Sequence, residues 1–184
     1  MTSAWVGERV RLRGFEPADW EAFHAFEEYS DDVRNGWLLT PPRSTEGARK
    51  WVAELAAEEP DLDRFKLVIA RREDDAAVGS INTHDVDRHY GTFAYGVAIG
   101  TPHHRKGYAS DAIVLLLRYM FGERRFQKCD VVVYAGNQPS LALHRRLGFV
   151  EEGRRRRARF AAGRYEDELL LGMTVEEFND RHGS

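Results

Sequence analysis

The chain is predicted to fold as a single α/β domain, residues 1–184, around a mixed sheet. Three observations predict this. Strand-like stretches from 65 to 99 follow one another through short turns, as in an antiparallel meander. A polar loop containing glycine then opens a long apolar helix, and a short apolar strand follows it. Nothing along the chain resembles a linker, an internal repeat or a low-complexity segment.

Taken in order, Val10 and Leu12 alternate with Arg9, Arg11 and Arg13, which predicts a first strand. Pro17 suits the first turn of a helix, and Trp20, Phe23 and Phe26 recur on its buried face. Pro41-Pro42 breaks the chain, after which Ser44 or Thr45 caps a second helix. That helix carries an apolar stripe of Ala48, Trp51, Val52 and Leu55 and is expected to end by Pro60. Strands are predicted at Phe65–Arg72, Val78–Val86 and Thr92–Ile99, with Asp74-Asp75 as a turn. A helix follows over about 107–121. Cys129–Tyr134 reads as an apolar strand covered on both faces. The next helix, about 139–147, stops at Gly148, and a terminal hairpin turns at Gly163.

The bulk numbers exclude several classes. A length of 184 residues suits one sizeable core. With 42% hydrophobic and 31% charged residues, the composition is that of an ordinary globular protein. The net charge of −3 supplies no global attraction to nucleic acid or anionic membrane. No apolar run approaches the ~20 residues of a membrane span, and Met1–Arg13 lacks the pattern of a secretory signal. The one cysteine, Cys129, has no intrachain disulfide partner, and a reducing cytoplasm is the expected setting.

The most informative stretch runs from Val97 through Ile99 and Gly100 to His104, Arg105, Lys106, Gly107, Tyr108, Ala109 and Ser110. It reads as strand, polar loop, helix. The start of a helix presents unpaired N–H groups and a positive dipole end, which together bind anions. Gly107 lets the backbone approach a bulky diphosphate, and small Ala109 keeps the approach open. Arg105 and Lys106 add positive charge. The stretch is neither a Walker A loop nor a dinucleotide fingerprint, because the required glycines are missing.

His104-Arg105-Lys106-Gly107-Tyr108-Ala109 resembles the pyrophosphate loop of the GNAT superfamily of N-acetyltransferases, Gln/Arg-x-x-Gly-x-Gly/Ala. His104 departs from the motif's first position, and Arg105 fills a place that is often glycine. Further on, Asn137-Gln138-Pro139-Ser140, a helix, and Leu147-Gly148-Phe149 resemble the second GNAT signature. The likeness covers about 10–175. It is closest to the branch of ribosomal-protein N-terminal (alanine/serine) and spermidine acetyltransferases, whose look includes the terminal hairpin.

The resemblance implies a GNAT fold: a mixed, mostly antiparallel sheet, flanked by helices and splayed at an acetyl-CoA cleft. It implies that Val97 and Ile99 pair with the pantetheine arm, that amides from Arg105 to Ser110 hold the diphosphate, and that Asn137 and Ser140 face the pantetheine or the ribose-phosphate end. It also implies transfer of acetyl from acetyl-CoA to a primary amine by direct attack, with no covalent enzyme intermediate and no metal. The acceptor is either a protein N-terminus or a small amine. The alternative is an acyl-CoA-binding sensor or interaction module with weak catalysis. Dimers are frequent in the family, so a homodimer is expected by analogy; no nucleic acid or membrane partner is.

Where many relatives carry a proton-donating Tyr, this chain has His144. Two roles stand open for it, proton donor to the departing thiolate or packing beside the cofactor. The general base is not legible: Thr92–Gly96 holds no acid, and Asp85, His84, Tyr165 and Asp167 each have an ordinary structural reading as well. In the fold that the resemblance implies, the first helices line the acceptor mouth, which would put Tyr29 and Trp37 there, near Asp31-Asp32, and two acids would favour a cationic acceptor. The run Arg154–Arg157 with Arg159 reads as an exposed strand face, His103-His104 as no metal site, and Cys129 as an inert core residue.

Overall fold

The computed structural model describes residues 3–36 and 38–183. Among them the sheet has seven strands: β1 (Val10–Arg13), β2 (Lys66–Arg71), β3 (Ala77–Asp87), β4 (Thr92–Ile99), β5 (Lys128–Tyr134), β6 (Val150–Ala161) and β7 (Arg164–Thr174). Their order is β1-β2-β3-β4-β5-β7-β6. β4 and β5 are parallel, while the β1–β2, β2–β3, β5–β7 and β6–β7 ladders are antiparallel. Six helices accompany them: α1 (Trp20–Phe26), α2 (Ser30–Gly36), α3 (Thr45–Ala57), α4 (Tyr108–Arg118), α5 (Gln138–Leu147) and α6 (Val175–His182).

The chain divides into two compact units, 1–83 with 96–116 and 84–95 with 117–184. β3, β4 and α4 each run from one unit into the other. In the first unit, α1 and α3 cover β2 and the start of β3. Phe15, Phe23, Val52, Val68, Ala70 and Ala77 form the buried cluster there, with Trp20, Phe26 and Trp51 packed against it. Pro17 begins a 3-10 turn before α1, and Ser44 caps α3 by accepting from the Gly47 N–H at 3.1 Å. Both agree with the sequence-based expectation. α2 does not: Ser30–Gly36 has one apolar side chain, Val33, too few for a helical period to be read.

In the second unit, Phe93 packs edge-on against Phe121 and Phe126, and Phe121 against Phe178 of α6. The β4–β5 ladder runs Thr92↔Lys128, Phe93↔Cys129 and Ala94↔Asp130, while β5 stays paired with β7 as far as Tyr134↔Glu168. β5 corrects one expectation. Cys129, Val131 and Val133 are buried, but Val132 between them is 49% exposed. The strand therefore alternates, and only one of its faces is covered. α6 was not expected either, although Thr174 and Glu177 form a capping box at its start. No described helix is long and apolar enough to cross a membrane.

Candidate active site

In the first unit β4 leads into the loop that the sequence singled out. The Gly100 N–H donates to Val78 O at 2.9 Å, which anchors the strand end. A 3-10 turn spans Thr101–His103, and then two residues take left-handed backbone, Arg105 at φ 60° and Gly107 at φ 80°. For Arg105 that conformation costs about 1–2 kcal/mol, whereas Gly107 adopts it freely. α4 begins at Tyr108, with the Asp111 N–H donating to Gly107 O at 3.1 Å. The first-turn amides of Tyr108, Ala109 and Ser110 have no carbonyl within the helix to meet. Together with the positive end of the helix dipole, these unpaired N–H groups make the start of α4 suited to an anion.

Three residues that sequence reasoning missed build this loop. Asp111 of α4 accepts from the backbone N–H groups of Arg9 (2.7 Å), Val10 (2.9 Å) and Glu8 (3.3 Å). Arg9 in turn donates to Lys106 O at 3.3 Å, and a Cβ on Gly107 would lie 3.1 Å from its Cδ and Nε. Asp32 of α2 accepts from both the N–H and the hydroxyl of Thr101 at 2.8 Å. Nothing in the sequence signals these pairings; the partners of Asp111 lie more than a hundred residues away.

The loop's own cations are partly turned inward. His104 Nε2 lies 2.7 Å from Ile99 O. A carbonyl only accepts, so Nε2 carries the proton. Lys106 donates to Pro102 O, and Arg105 is exposed. Asp32 is thus engaged in holding the loop, and Asp31 pairs with Arg34.

The second unit holds the other group of residues. Asn137 caps α5 by accepting from the Ser140 N–H at 3.2 Å. At the far end Gly148, at φ 105°, closes the helix, and the Phe149 N–H donates back to His144 O. His144 is 1% exposed. Its Nδ1 lies 2.8 Å from Ser140 O, so that nitrogen bears the proton and Nε2 presents a bare lone pair. Nε2 is buried with no hydrogen-bond partner. Burial pushes the imidazole below its ordinary pKa, against a smaller upward pull from the Ser140 bond. The Tyr95 ring stacks on His144, with centroids 5.9 Å apart and planes 24° apart. The Tyr95 hydroxyl is likewise buried and unpartnered, and burial pushes its pKa well up.

The remaining candidates have local partners of their own or are partly exposed. Tyr29, in the first unit, is 39% exposed, and Trp37 lies outside the described residues. Asp85 sits at φ 46° and bonds to its neighbour His84 at 2.9 Å. Tyr165 packs on Phe160 and beneath the Arg157 guanidinium. Asp167 accepts from the Arg157 N–H at 2.8 Å where β6 bulges, which is a structural duty. Arg154–Arg157 are exposed, as expected, but Arg159 corrects that reading: its side chain is 10% exposed, lies over the Tyr134 ring and pairs with Glu166. Among the described residues no cluster of His, Cys, Asp or Glu suits a metal.

A seven-stranded, mostly antiparallel sheet flanked by helices in this way is the fold of the GNAT acetyltransferases. The family described as the acetyltransferase (GNAT) domain matches residues 9–150. The SPbeta prophage-derived uncharacterized N-acetyltransferase YokL of Bacillus subtilis is 40% identical over 179 residues, covering 97% of each chain. A candidate ribosomal N-acetyltransferase of the same organism, YdaF, is 24% identical over 97% of this chain and 98% of its own. The crystal structure of a spermidine N-acetyltransferase from Vibrio cholerae, in complex with CoA and spermine, superposes with a TM-score of 0.76 at 20% identity, over 92% of this chain and 97% of that one. The chain belongs to the GNAT family and is an N-acetyltransferase. GNAT acetyltransferases take their acetyl group from acetyl-CoA.

Proposed function

We propose that this enzyme moves acetyl from acetyl-CoA to a primary amine by direct attack, with amides from Arg105 to Ser110 receiving the diphosphate. The observation that carries the reading is the left-handed pair Arg105 and Gly107 opening directly into α4. Lys106 and Arg9 bring positive charge to the same loop. Val97 and Ile99 offer backbone groups to the pantetheine arm. The family match crosses both compact units, which supports one GNAT domain over 1–184.

The acceptor's amine must be uncharged to attack, and an exposed lysine-type amine has a pKa of ~10.4, an α-amine ~8. A proton therefore leaves the nitrogen, and one must reach the departing sulfur. His144 is the residue we assign to the sulfur: an imidazolium held against burial is an acid stronger than free histidine. Tyr29, Trp37, Asp85 and Tyr165 stand as acceptor-side candidates. Spermine in the Vibrio cholerae relative supports a polyamine among the amines to test. A homodimer in the cytoplasm is the setting proposed by analogy.

The test is calorimetric titration with acetyl-CoA beside ATP and NAD, followed by thiol release with N-terminal peptides and polyamines. Micromolar binding of acetyl-CoA alone, with release driven by one amine class, is the expected result. Tight binding without transfer to any amine would select the sensor reading instead, and no binding would overturn both.

A further inference from the structure

Two polar atoms in the second unit are buried without partners on neighbouring rings. They differ in kind. The Tyr95 hydroxyl is buried and keeps its proton because burial disfavours the phenolate, so it is a donor lacking an acceptor. His144 Nε2 is an acceptor lacking a donor, since Nδ1 spends its proton on Ser140 O. The rings are stacked at 5.9 Å, and Phe149 closes against both, at 6.2 Å from Tyr95 and 5.2 Å from His144. An unsatisfied buried hydroxyl or imidazole costs about 1–3 kcal/mol. One water that accepts from Tyr95 and donates to His144 would relieve both costs.

We propose that Tyr95 and His144 hold such a water between them, and that through it His144 takes the proton that the attacking amine loses before passing it to sulfur. The inference rests on the acetyl-transfer reading and supplies the base that reading lacks. Starting from the free amine, nitrogen attacks the thioester carbon and the C–N bond forms. The N–H proton passes to the water as the water gives one to Nε2. The carbonyl reforms, the C–S bond breaks, and the sulfur takes that proton back from Nε2 through the same water. The products are the amide and the CoA thiol, and the enzyme ends with the protons it began with.

One histidine thereby serves as acceptor and then as donor, and a separate acid on β4 is not required. Tyr95 is a positioning residue, because it orients the water and touches neither reactant. Among the described residues, Ser140 on α5, Tyr95 on β4 and the Phe149 ring face His144; Tyr95 in turn faces the Cys129 thiol on β5. None of these carries a charge near neutral pH, so the histidine titrates against burial and the Ser140 bond.

The experiment compares the wild-type chain with Tyr95→Phe and His144→Phe. Histidine 15N NMR of the free protein should show His144 as the Nδ1–H form with Nε2 accepting a hydrogen bond. In Tyr95→Phe the Nε2 resonance should move toward that of a bare nitrogen. An Nε2 resonance that is already bare in the wild type, or unchanged by Tyr95→Phe, overturns the bridge whether or not any amine is turned over. With the primary amine giving the fastest thiol release, His144→Phe should lower kcat by about 100-fold and erase the acidic limb of its pH profile. Tyr95→Phe should lower kcat by about 10-fold at unchanged acetyl-CoA affinity and displace that limb. A purely structural hydroxyl predicts the opposite: removing an unsatisfied buried group stabilises the fold and leaves kcat and its pH profile alone. Unchanged acetyl-CoA binding in both variants shows that the donor site survives when the relay fails.

Discussion

Removing the Asp111 carboxylate should unfasten α4 and the loop before it from the first strand, and the cost follows from three bonds. Asp111 accepts from the Arg9, Val10 and Glu8 amides at 2.7, 2.9 and 3.3 Å. A hydrogen bond to a charged acceptor contributes about 1.5–3 kcal/mol net. Arg9 and Glu8 are exposed, so water replaces their partner and each retains a loss of about 0.5 kcal/mol. Val10 is fully buried and loses close to the whole amount. The sum for Asp111→Ala is about 3 kcal/mol. At about 2–4 °C per kcal/mol for a chain of this size, the melting temperature should fall by about 6–12 °C. Asp111→Asn keeps one oxygen in place and should lose about half as much. Circular dichroism melts of the three proteins measure this. A drop below about 2 °C for Asp111→Ala would refute the view that this carboxylate fastens the loop's helix.

Gly107→Ala should weaken acetyl-CoA binding by about 10-fold or more, since its backbone strain of about 1–2 kcal/mol is joined by displacement of Arg9, 3.1 Å from the new Cβ. Equal calorimetric affinities for variant and wild type would show that the amides need no left-handed residue there. The pH dependence of stability carries a second expectation. Burial lowers His144 in the folded state, so below the unfolded value of ~6.5 the unfolded chain binds the extra proton first. The contribution is complete above that pH and is lost as pH falls toward the folded value. Urea melts at stepped pH should show this decline in the wild type and less of it in His144→Phe.

The parts legible in the sequence were those encoded by neighbours along the chain. The bounds of β4, the Ser44 cap, the Gly148 stop and the loop's turn into α4 all rest on residues a few positions apart. α2 escaped because Ser30–Gly36 stays largely outside the apolar periodicity that marks a buried helix face. α6 escaped although Thr174 and Glu177 spell its cap, because the strand before it masked the signal. The site was half legible for the same reason. Gly107 and His144 announce themselves by motif and spacing, whereas Arg9, Asp32 and Asp111 gain their roles only when distant segments meet. Tyr95 looks in sequence like one more strand aromatic. Only its depth, and the imidazole against it, single out its unpartnered hydroxyl.

The position of Cys129 has a practical side. It is the chain's one cysteine, it is fully buried in β5, and burial holds its thiol well above the usual range. A thiol-specific reagent therefore finds no thiolate on the closed protein and reacts only with molecules in which this part of the second unit has opened. The rate of labelling becomes a clock for that opening, read at a single atom in the unaltered chain. Run with and without acetyl-CoA, the clock reports whether donor binding slows the breathing of the strand that lies beside β4.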